Sequence, residues 1–520
     1  MSIARTRKAD TLDRTGFLQN TASKPRLLIN SIFALIYFCV LTFGFAHGNE
    51  FVFWLLILGE VFHLVQIVGY CYTVWDDRLK APIDPHFNAP VDIYITVCGE
   101  PTEIVRQTVL AARAMVYDTF QVFILNDGYV AKKDNWEEIE DLAKELGVGC
   151  ITRRTPGGAK AGNINNALRT TNSSYFVVFD ADHVPYPSFL REVMGYFVDP
   201  KLGFVQTPQF YSNQNENKIT KVAWWQQTLF FGPIMSGKNR LNSAFMCGTN
   251  MAIRRSAIQE AGGMCEFNIA EDFLTSLFIH EKGWRSVYVP KVLAEGLAPE
   301  DFLSYYKQQF RWTRGSLEVI FKYNPLFRRG LRMSQKLQYL ISASYYLSGV
   351  VVLIDALLPL LFLFTGITAI TTSTMALAFV FIPYMFLNLY TLQRTSNFSY
   401  AFEAISFSLS SFWLQISAVI AVLSNQKTSF AVTSKSQVHG NFLYLVTPQL
   451  VYIVLTIIGI FVGFFREGAS ASLVANLAWA VVNVVVFIPF IAAAAPQRQE
   501  KVREERFATR LTEEVLREKS

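Results

Sequence analysis

Residues 175–183 read YFVVFDADH, a run of five apolar or aromatic residues followed by two aspartates one residue apart. An apolar run of this length predicts a buried β-strand, so Asp180 and Asp182 come at the carboxyl end of that strand. Carboxylate oxygens placed there suit Mg²⁺ or Mn²⁺, which can bridge to the diphosphate of a substrate. The alternative is a plain surface turn, because aspartate is common in turns. The stretch predicts one strand of a sheet and a candidate metal site at its end.

Short apolar runs alternate with helical patterns on both sides of this stretch. The runs that predict strands are 91–99, 120–128, 148–153, 175–183 and 203–209. The segments between them place apolar residues at helical spacing, and such alternation predicts a parallel sheet with helices on its faces. Ligands of such sheets bind beyond the carboxyl ends of the strands. Asp127 follows the second run as Asp180 and Asp182 follow the fourth, so the sequence predicts an α/β domain with acids at one edge.

The remainder of the chain is far more apolar than a soluble domain. The chain is 51% hydrophobic with a mean hydropathy of +0.26, and its apolar residues are clustered. A helix needs about 20 apolar residues to cross a bilayer. Three segments of the chain each contain two apolar runs of this length. These segments are residues 26–76, 331–424 and 441–495. The sequence therefore predicts six transmembrane helices around one central domain, residues 82–330.

Two features of the apolar segments differ from plain transmembrane helices. Glu60, His63 and Asp355 lie inside apolar runs, so each is expected to face protein or a cavity rather than lipid. Residues 399–424 contain an acid and many serines. That stretch is better predicted as a helix lying at the membrane interface than as a transmembrane helix.

Basic residues flank the apolar runs on one side. The tail of residues 1–25 and the segment after the central domain are rich in Lys and Arg, whereas the loop AHGNE between the first two spans has neither. By the positive-inside rule, the central domain and both tails, including the charged residues 496–520, are expected on the cytoplasmic side of an inner (plasma) membrane. The net charge of +6 fits these flanks. No basic tract is interleaved with aromatics, so we expect no nucleic-acid partner.

Two further motifs follow the central aspartates. Glu271 and Asp272 stand at the start of a predicted helix, where a carboxylate can remove a proton from an attacking hydroxyl. Acids also stabilise helix starts through the helix dipole, which is the alternative. In QQFRWTRGS, Arg311 can hold a diphosphate by paired hydrogen bonds and Trp312 offers a flat face to a sugar ring. The alternative for this stretch is an amphipathic helix on the membrane surface.

The order of the motifs is more specific than any one of them. Along the chain come Asn126-Asp127-Gly128, KAGNINNAL (160–168), Asp180-x-Asp182, TPQF (207–210), CGTNMAIRR (247–255), Glu271-Asp272 and Gln308-x-x-Arg311-Trp312. The series resembles the processive family-2 membrane glycosyltransferases, the family of the bacterial cellulose synthase catalytic subunits. The resemblance covers roughly residues 90–320 and extends through the membrane half. It implies a GT-A-like α/β domain that binds a nucleotide sugar and is inserted in an α-helical transmembrane bundle.

The resemblance also implies roles for single residues. Those implied to bind the UDP-sugar donor are Glu100, Asp127, Lys160, Asp180, Gln308 and Arg311. Lys160 and Arg311 neutralise the diphosphate in this scheme, and Asp180 and Asp182 hold Mg²⁺ or Mn²⁺. Asp272 is implied to be the general base, with Glu271 beside it. The residues implied to line the acceptor site are Trp312, Cys247 and Gly248.

A polar stretch, NQKTSFAVTSKSQ, interrupts the apolar half within residues 425–440. By itself it predicts a solvated loop between two helices. Its Phe-x-Val-Thr-x-Lys pattern matches the gating loop of cellulose synthases, so the resemblance implies a loop that covers the substrate opening and excludes water. We expect Thr433 and Lys435 to reach the donor diphosphate, and Phe430 and Val432 to belong to the gate.

The resemblance implies a reaction and its partners. The enzyme is expected to be a processive inverting glycosyltransferase that joins a nucleotide-activated sugar, with UDP-glucose favoured, into a β-linked, cellulose-like glucan and extrudes it through its own channel. Its partners are then the UDP-sugar donor, the growing polysaccharide acceptor, the lipid bilayer and periplasmic or cell-envelope export proteins. A β-1,3 or mixed-linkage glucan, a mannan, chitin or hyaluronan stays open as the product.

Two other functions are disfavoured by the sequence. A polyprenyl-phosphate glycosyltransferase does not generally need the Gln-x-x-Arg-Trp motif or spans on both sides of the domain, and this chain has both. A transporter or channel with a degenerate domain is expected to have lost the acids. Asp180, Asp182 and Asp272 are all present.

Three positions depart from the family pattern. Asn126 replaces the first Asp of Asp-Asp-Gly, Cys98 stands where the family often has a Tyr that helps to hold uracil, and Ala270 replaces the Thr of Thr-Glu-Asp. None of these changes removes an acid that the chemistry requires. Residues 496–520 leave no room for a regulatory PilZ domain, so we expect no direct cyclic di-GMP control through one.

Overall fold

The computed structural model of the chain describes residues 14–18, 22–426, 438 and 440–496. The predicted gating residues lie outside the described residues: Phe430, Val432, Thr433 and Lys435. The charged tail from residue 497 onward lies outside them as well.

Two long helices precede the α/β domain. Helix α1 (Lys24–Cys39) continues as a π-helix over Val40–Gly44, and α2 (Glu50–Thr73) follows after a short loop. The side chain of Asn49 caps α2 by accepting a hydrogen bond from the backbone N–H of Val52 (3.1 Å). Both helices fall where the first two spans were predicted.

The core of the α/β domain is a seven-stranded sheet. Its strands in chain order are β1 (Val91–Val97), β2 (Phe120–Asn126), β3 (Gly149–Thr152), β4 (Tyr175–Asp180), β5 (Leu202–Gln206), β6 (Met251–Arg254) and β7 (Arg285–Tyr288). Their order across the sheet is β7-β5-β6-β4-β1-β2-β3. All neighbours are parallel except β6, which runs antiparallel to both β4 and β5.

The five predicted strands are present, but the prediction of a purely parallel sheet was wrong. After β5 the chain leaves the carboxyl edge of the sheet, forms two helices, and returns across the same edge. The strand that follows such a return must run in the opposite direction, which is the direction of β6. With four residues, β6 is too short to show a strand pattern in the sequence.

Both faces of the sheet are buried, which explains its nearly continuous apolar runs. In β1, Ile93 and Ile95 pack into the core on one face, and Tyr94 packs into the core on the other. All seven residues of β1 are buried. The sheet is therefore a rigid layer, and only the chain segments at its edges are available to a ligand.

The helices of the domain cover these two faces and lead to the membrane half. They are α3 (Thr102–Arg113), α4 (Trp136–Glu145), α5 (Ala159–Leu168), α6 (Phe189–Met194), α7 (Lys218–Leu229), α8 (Met235–Arg240), α9 (Arg255–Ala261), α10 (Glu271–Glu281) and α11 (Phe302–Phe321). A small second sheet joins Val184–Pro185, Ala294–Gly296 and Phe210–Tyr211 beside the carboxyl end of β4.

The membrane half follows the domain. Its helices are α12 (Met333–Ser344), α13 (Ser348–Thr365), α14 (Thr374–Thr395), α15 (Phe402–Ser410), α16 (Phe412–Leu423), α17 (Thr447–Glu467) and α18 (Ala471–Ala494). Helices α13, α16, α17 and α18 share one buried apolar cluster, which includes Leu360, Phe412, Tyr452 and Phe487.

Within the described residues, seven segments are long and apolar enough to cross a membrane, one more than the six predicted. The additional segment is Phe402–Leu423, which the sequence predicted to lie at the interface. It is interrupted at Ser411 between α15 and α16, and 56% of its apolar 18-residue window is buried inside the protein. Its polar groups are satisfied there: the Ser411 hydroxyl donates to the Phe407 carbonyl (2.7 Å), and Gln449 donates to the Ser410 carbonyl (2.6 Å).

The ionisable residues inside the apolar helices are paired, as their position predicted. The ring of His63 on α2 lies 3.0 Å from the carboxylate of Asp355 on α13. The Tyr37 hydroxyl on α1 donates to Glu60 on α2 (2.8 Å). These contacts join three helices through polar groups that lipid could not solvate.

A buried polar network fixes the α/β domain to the helices. The ammonium of Lys238 on α8 donates to the side chains of Gln338 (2.9 Å) and Ser342 (2.8 Å) on α12. Gln338 in turn donates to Thr73 at the end of α2 (2.9 Å). The sheet edge that carries the acids is thereby held in a fixed place relative to the apolar helices.

Candidate active site

One cavity of about 360 Å³ lies at the carboxyl edge of the sheet, between the sheet and α11. All the sequence-predicted site residues that fall within the described residues line it: Glu100, Asp127, Lys160, Asp180, Asp182, Cys247, Gly248, Glu271, Asp272, Gln308, Arg311 and Trp312. The structure thus brings separate stretches of sequence together, while the role of each residue stays a prediction.

Asp180 ends β4 and is paired with the lysine of the KAGN motif. Lys160, on α5, donates to Asp180 and also to the backbone carbonyl of Gly248 (2.8 Å). Burial alone raises the pKa of Asp180, but the ion pair with Lys160 opposes it, and that pKa lies below its usual value. Burial lowers the pKa of Lys160, but the negative charges of the surrounding carboxylates have the larger effect. The pKa of Lys160 is therefore raised. At neutral pH both groups are charged.

Asp182 lies two residues further on, beside a histidine that the sequence analysis did not select. Ligand atoms of Asp180, Asp182 and His183 lie within 4.8 Å of one another. The Nδ1 atom of the buried His183 ring faces Asp182, at 3.4 Å from its Oδ1. Two carboxylates and one imidazole are a donor set that fits a divalent metal ion. His183 could have been found, because it follows the Asp-x-Asp directly.

Asp127, at the end of β2, is held by an ion pair that the sequence analysis missed. Arg153, just after β3, donates to one carboxylate oxygen of Asp127 through Nε (2.8 Å) and to the other through Nη2 (2.6 Å). Both side chains are 8% exposed. Burial raises the pKa of Asp127, and the charge of Arg153 offsets part of that rise. The paired geometry fixes the orientation in which the carboxylate meets the cavity.

The departure at Asn126 has a local explanation, whereas nothing in the structure explains the Cys98 side chain. The Asn126 amide donates to the Trp136 carbonyl (2.8 Å), and its oxygen accepts from the Gly128 backbone N–H (2.9 Å). A carboxylate could make only the second of these bonds, so the amide fits this turn better. The backbone N–H of Cys98 donates to Glu100 (2.6 Å), and both residues line the cavity beside Asp127.

The predicted acceptor segment is fixed from behind by a buried glutamine. The Gln206 side chain, at the end of β5, accepts from the Cys247 backbone N–H (2.8 Å) and donates to the Thr249 carbonyl (2.8 Å). Gln209 donates to the Cys247 carbonyl (2.7 Å). The TPQF and CGTN motifs, which are far apart in the chain, therefore form one structural unit. Gln206 stood next to TPQF and was not singled out by sequence.

Gly248 lets this segment approach the predicted base. Its φ of +84° lies in the left-handed region, which favours glycine. A β-carbon at this position would also stand 3.2 Å from Oδ2 of Asp272. The other carboxylate oxygen of Asp272 accepts from the Phe273 backbone N–H (2.7 Å). Oδ2 is consequently directed at the segment predicted to hold the acceptor.

Glu271 and Asp272 begin α10, as predicted, and both line the cavity, Glu271 buried and Asp272 half-buried. Burial raises the pKa of both carboxyls, and the negative charge of Asp272 raises that of Glu271 further. Backbone N–H groups at the helix start and the ammonium of Lys160 oppose these shifts. A carboxylate whose pKa is raised binds a proton more readily, which is what a general base requires.

Helix α11 brings Gln308, Arg311 and Trp312 to the opposite wall. Burial lowers the pKa of Arg311. The negative charge of Glu271 offsets only part of this, so the pKa stays below its usual value. The helix passes so close to Ala270 that a β-carbon at Gly315 would collide with the β-carbon of Ala270. A glycine in the middle of α11 is therefore required for the helix to reach the two acids.

Comparison with known proteins gives the class of the molecule. Residues 90–315 match the family model described as glycosyltransferase like family 2, and residues 260–501 match the model described as cellulose synthase. The fold is similar to that of a mannosyltransferase from Pyrobaculum calidifontis solved in complex with GDP-Man and Mn²⁺. The TM-score is 0.51 at 14% sequence identity, covering 72% of this chain and all of that one. This likeness shows the fold alone. The α/β domain has a GT-A-like fold, as the sequence predicted.

The relatives within that class are cellulose synthases. The chain is 32% identical over 469 residues to cellulose synthase 2 of Novacetimonas hansenii, covering 86% of this chain and 29% of that protein. It is 30% identical over 466 residues to the UDP-forming cellulose synthase catalytic subunit of Pseudomonas fluorescens, covering 85% of this chain and 62% of the relative. The chain thus spans less than two thirds of either relative. Over residues 90–501 the chain is similar first to the family-2 glycosyltransferases and then to the cellulose synthases.

Proposed function

We propose that this protein is a processive inverting glycosyltransferase that polymerises UDP-glucose into a cellulose-like β-glucan and passes the product through its own helices. The observation that carries the proposal is the position of Asp272. One of its carboxylate oxygens is directed at Gly248, across a cavity that also contains the charged groups a nucleotide diphosphate needs. The similarity to cellulose synthases over most of the chain favours the glucan.

In this proposal the donor lies along the carboxyl edge of the sheet. The nucleoside end meets Asp127, whose orientation Arg153 fixes, and the diphosphate meets Lys160 and Arg311. Both cations line the cavity, so each can bind the diphosphate. A divalent ion, Mg²⁺ or Mn²⁺, held by the Asp180, Asp182 and His183 cluster supplies further positive charge for the leaving UDP when bound.

The reaction is a single displacement. A hydroxyl at the end of the growing chain, hydrogen-bonded to Oδ2 of Asp272 beside Gly248, attacks the anomeric carbon of the donor. Asp272 takes the hydroxyl proton as the new bond between carbon and oxygen forms. The bond from the anomeric carbon to the diphosphate breaks, and its electron pair leaves with UDP. One displacement inverts an α-linked donor, so the product linkage is β.

Aromatic and hydroxyl side chains join the α/β domain to the apolar helices next to the cavity. Trp312 on α11 faces the cavity, and Tyr305 lies about two turns earlier on the same helix. The Tyr305 hydroxyl donates to Gln226 (2.9 Å), and Gln226 donates to Ser408 (3.2 Å). Tyr400 shares a hydrogen bond with Ser408 (2.9 Å). Tyr305 and Tyr400 are buried, so these bonds hold α11 against α7 and α15, and Trp312 is the aromatic side chain that a sugar in the cavity could contact.

The proposed arrangement places the α/β domain and both termini on the cytoplasmic side of the inner membrane, where UDP-sugars are available. The basic segment between α11 and α12 supports this, because cytoplasmic flanks are rich in Lys and Arg. The product then leaves on the opposite side, where periplasmic or cell-envelope export proteins would receive it.

The test is to supply the purified protein in nanodiscs with a panel of UDP- and GDP-sugars and to digest the product with linkage-specific hydrolases. We expect a polymer from UDP-glucose that a β-1,4-glucanase degrades, and release of one UDP per sugar added. A polymer formed only from UDP-N-acetylglucosamine or a GDP-sugar would overturn the glucan assignment. Retention of the donor configuration would overturn the single displacement.

A further inference from the structure

The turn that precedes Glu271 and Asp272 is held by a side chain two residues before the helix cap. Helix α10 starts after Ala270, which provides no side-chain cap. Asn268 restrains this turn instead, because its side-chain oxygen accepts from the Ala270 backbone N–H (2.6 Å). The Asn268 amide nitrogen donates to Glu318 (3.1 Å) and to the Gly315 carbonyl (3.3 Å) on α11. Asn268 is buried, so these bonds replace all its contact with water.

Glu318 is the buried carboxylate at the centre of this contact. Two cations of α11 neutralise it, with Lys322 Nζ at 3.3 Å and Arg314 Nε at 3.7 Å. Arg314 also donates to the Gln426 carbonyl, and Lys322 donates to the Asn425 side chain (3.1 Å). A buried carboxylate is tolerated only with partners of this kind. The cluster therefore links the turn before the two acids, the middle of α11 and the chain just after α16.

The helix that carries Arg314 and Glu318 also carries predicted site residues. Arg311 and Trp312 lie on the turn of α11 just before Arg314, so the same helix carries groups predicted to bind donor and acceptor. The bonds from Asn268 to α11 thus set the position of Asp272 relative to those groups. At position 270 the chain has no hydroxyl, so this restraint depends on Asn268.

We propose that Asn268 and Glu318 are positioning residues for the transfer reaction: they hold Asp272 in register with the donor and acceptor groups of α11, and Arg314 ties this arrangement to the end of α16. The inference rests on the proposed function, because it takes Asp272 as the base. It assigns a function to residues that neither touch the substrate nor belong to the motifs of the active site.

The test compares Asn268→Ala and Glu318→Ala with Glu260→Ala in the full chain in nanodiscs. Glu260 is a matched control, a carboxylate of the same domain that accepts a hydrogen bond at an exposed site. A displacement of the base by about 1 Å lowers kcat by about 10- to 100-fold. We expect that loss in both test variants with KM for UDP-glucose unchanged, and wild-type kinetics in the control. Unchanged kcat in either test variant would overturn the inference.

Exchanging the amide of Asn268 and the carboxylate of Glu318 distinguishes loss of this contact from loss of folding. Asn268→Asp alone sets two carboxylates against each other, and Glu318→Gln alone removes the charge that Arg314 and Lys322 share. The double variant N268D/E318Q restores one amide and one carboxylate at the contact, so we expect it to regain most of the kcat lost by N268D. Additive losses would overturn the inference. Asp272→Asn, assayed alongside, separates the two proposals: full activity in that variant would overturn the proposed function itself.

Discussion

Two aspartates of the cavity, Asp180 of one carboxylate pair and Asp272 of the other, have pKa values shifted in opposite directions. Asp180, at a strand end, has its pKa lowered because Lys160 outweighs the effect of burial. Asp272, at a helix start, has its pKa raised because burial dominates and Lys160 compensates only partly. One aspartate is thereby kept ionised to hold cations, and the other is prepared to accept a proton.

Such a difference between neighbouring carboxyls is how one site separates charge binding from acid–base chemistry. It also explains why Lys160 is central: it donates to Asp180 and to the Gly248 carbonyl, and Gly248 is the residue that Oδ2 of Asp272 faces. If this division is right, substitution of Asp272 should lower turnover, and substitution of Asp182 should weaken UDP binding.

The largest difference is expected in turnover. Asp272→Asn keeps the shape of the side chain and removes the proton acceptor, so kcat should fall by about 10²- to 10⁴-fold. UDP binding should be retained, because no cation site is altered. Release of UDP in single-turnover experiments, with binding followed by calorimetry, measures both quantities. Residual turnover close to that of wild type would show that Asp272 is not the base.

A smaller effect in binding is expected at the other pair. Asp182→Asn removes one charged ligand from the Asp180, Asp182 and His183 cluster, so affinity for UDP in the presence of Mn²⁺ should fall by about 10- to 100-fold, as losses at metal sites typically do. Binding in the presence of a chelator should be weak in both wild type and variant. Calorimetry with and without Mn²⁺ makes the comparison. An unchanged dependence on Mn²⁺ would contradict the assignment.

The smallest effect is on stability, where Asp272→Asn and Asp180→Asn should change the unfolding temperature in opposite directions. Folding raises the pKa of Asp272, so this group costs stability once the pH rises above that pKa, and Asp272→Asn should raise the unfolding temperature at pH 8. That gain should shrink as the pH falls through the raised pKa. Folding lowers the pKa of Asp180, which stabilises the protein above the usual carboxyl pKa, so Asp180→Asn should lower the unfolding temperature at pH 8. If both variants shifted the unfolding temperature at pH 8 in the same direction, the opposite pKa shifts of Asp180 and Asp272 would be contradicted.

Much of the site could be predicted because its residues lie at the ends of regular elements. Asp127, Asp180 and the Glu271-Asp272 pair each follow or begin a segment whose pattern is visible in the sequence, and parallel strands bring such ends to one edge. Their assembly around one cavity followed from that topology.

The contacts that orient these residues could not be predicted, because they form across the fold. Arg153 reaches Asp127 over 26 residues and Gln206 reaches the Thr249 carbonyl over 43, so no local spacing indicates either. The antiparallel strand β6 was missed because a four-residue strand shows no pattern. The serines of Phe402–Leu423 suggested a polar surface, but they bond to backbone carbonyls inside the protein.

The measurement that tests the central claim most directly is the pH dependence of kcat at saturating UDP-glucose. If Asp272 is the base, kcat falls as the pH drops through its raised pKa, so the acidic limb lies well above the value of about 3.9 that is ordinary for aspartate. The limb should disappear from the residual activity of Asp272→Asn and persist in Asp182→Asn. A limb near the ordinary aspartate value, or one that Asp272→Asn leaves in place, would contradict the account.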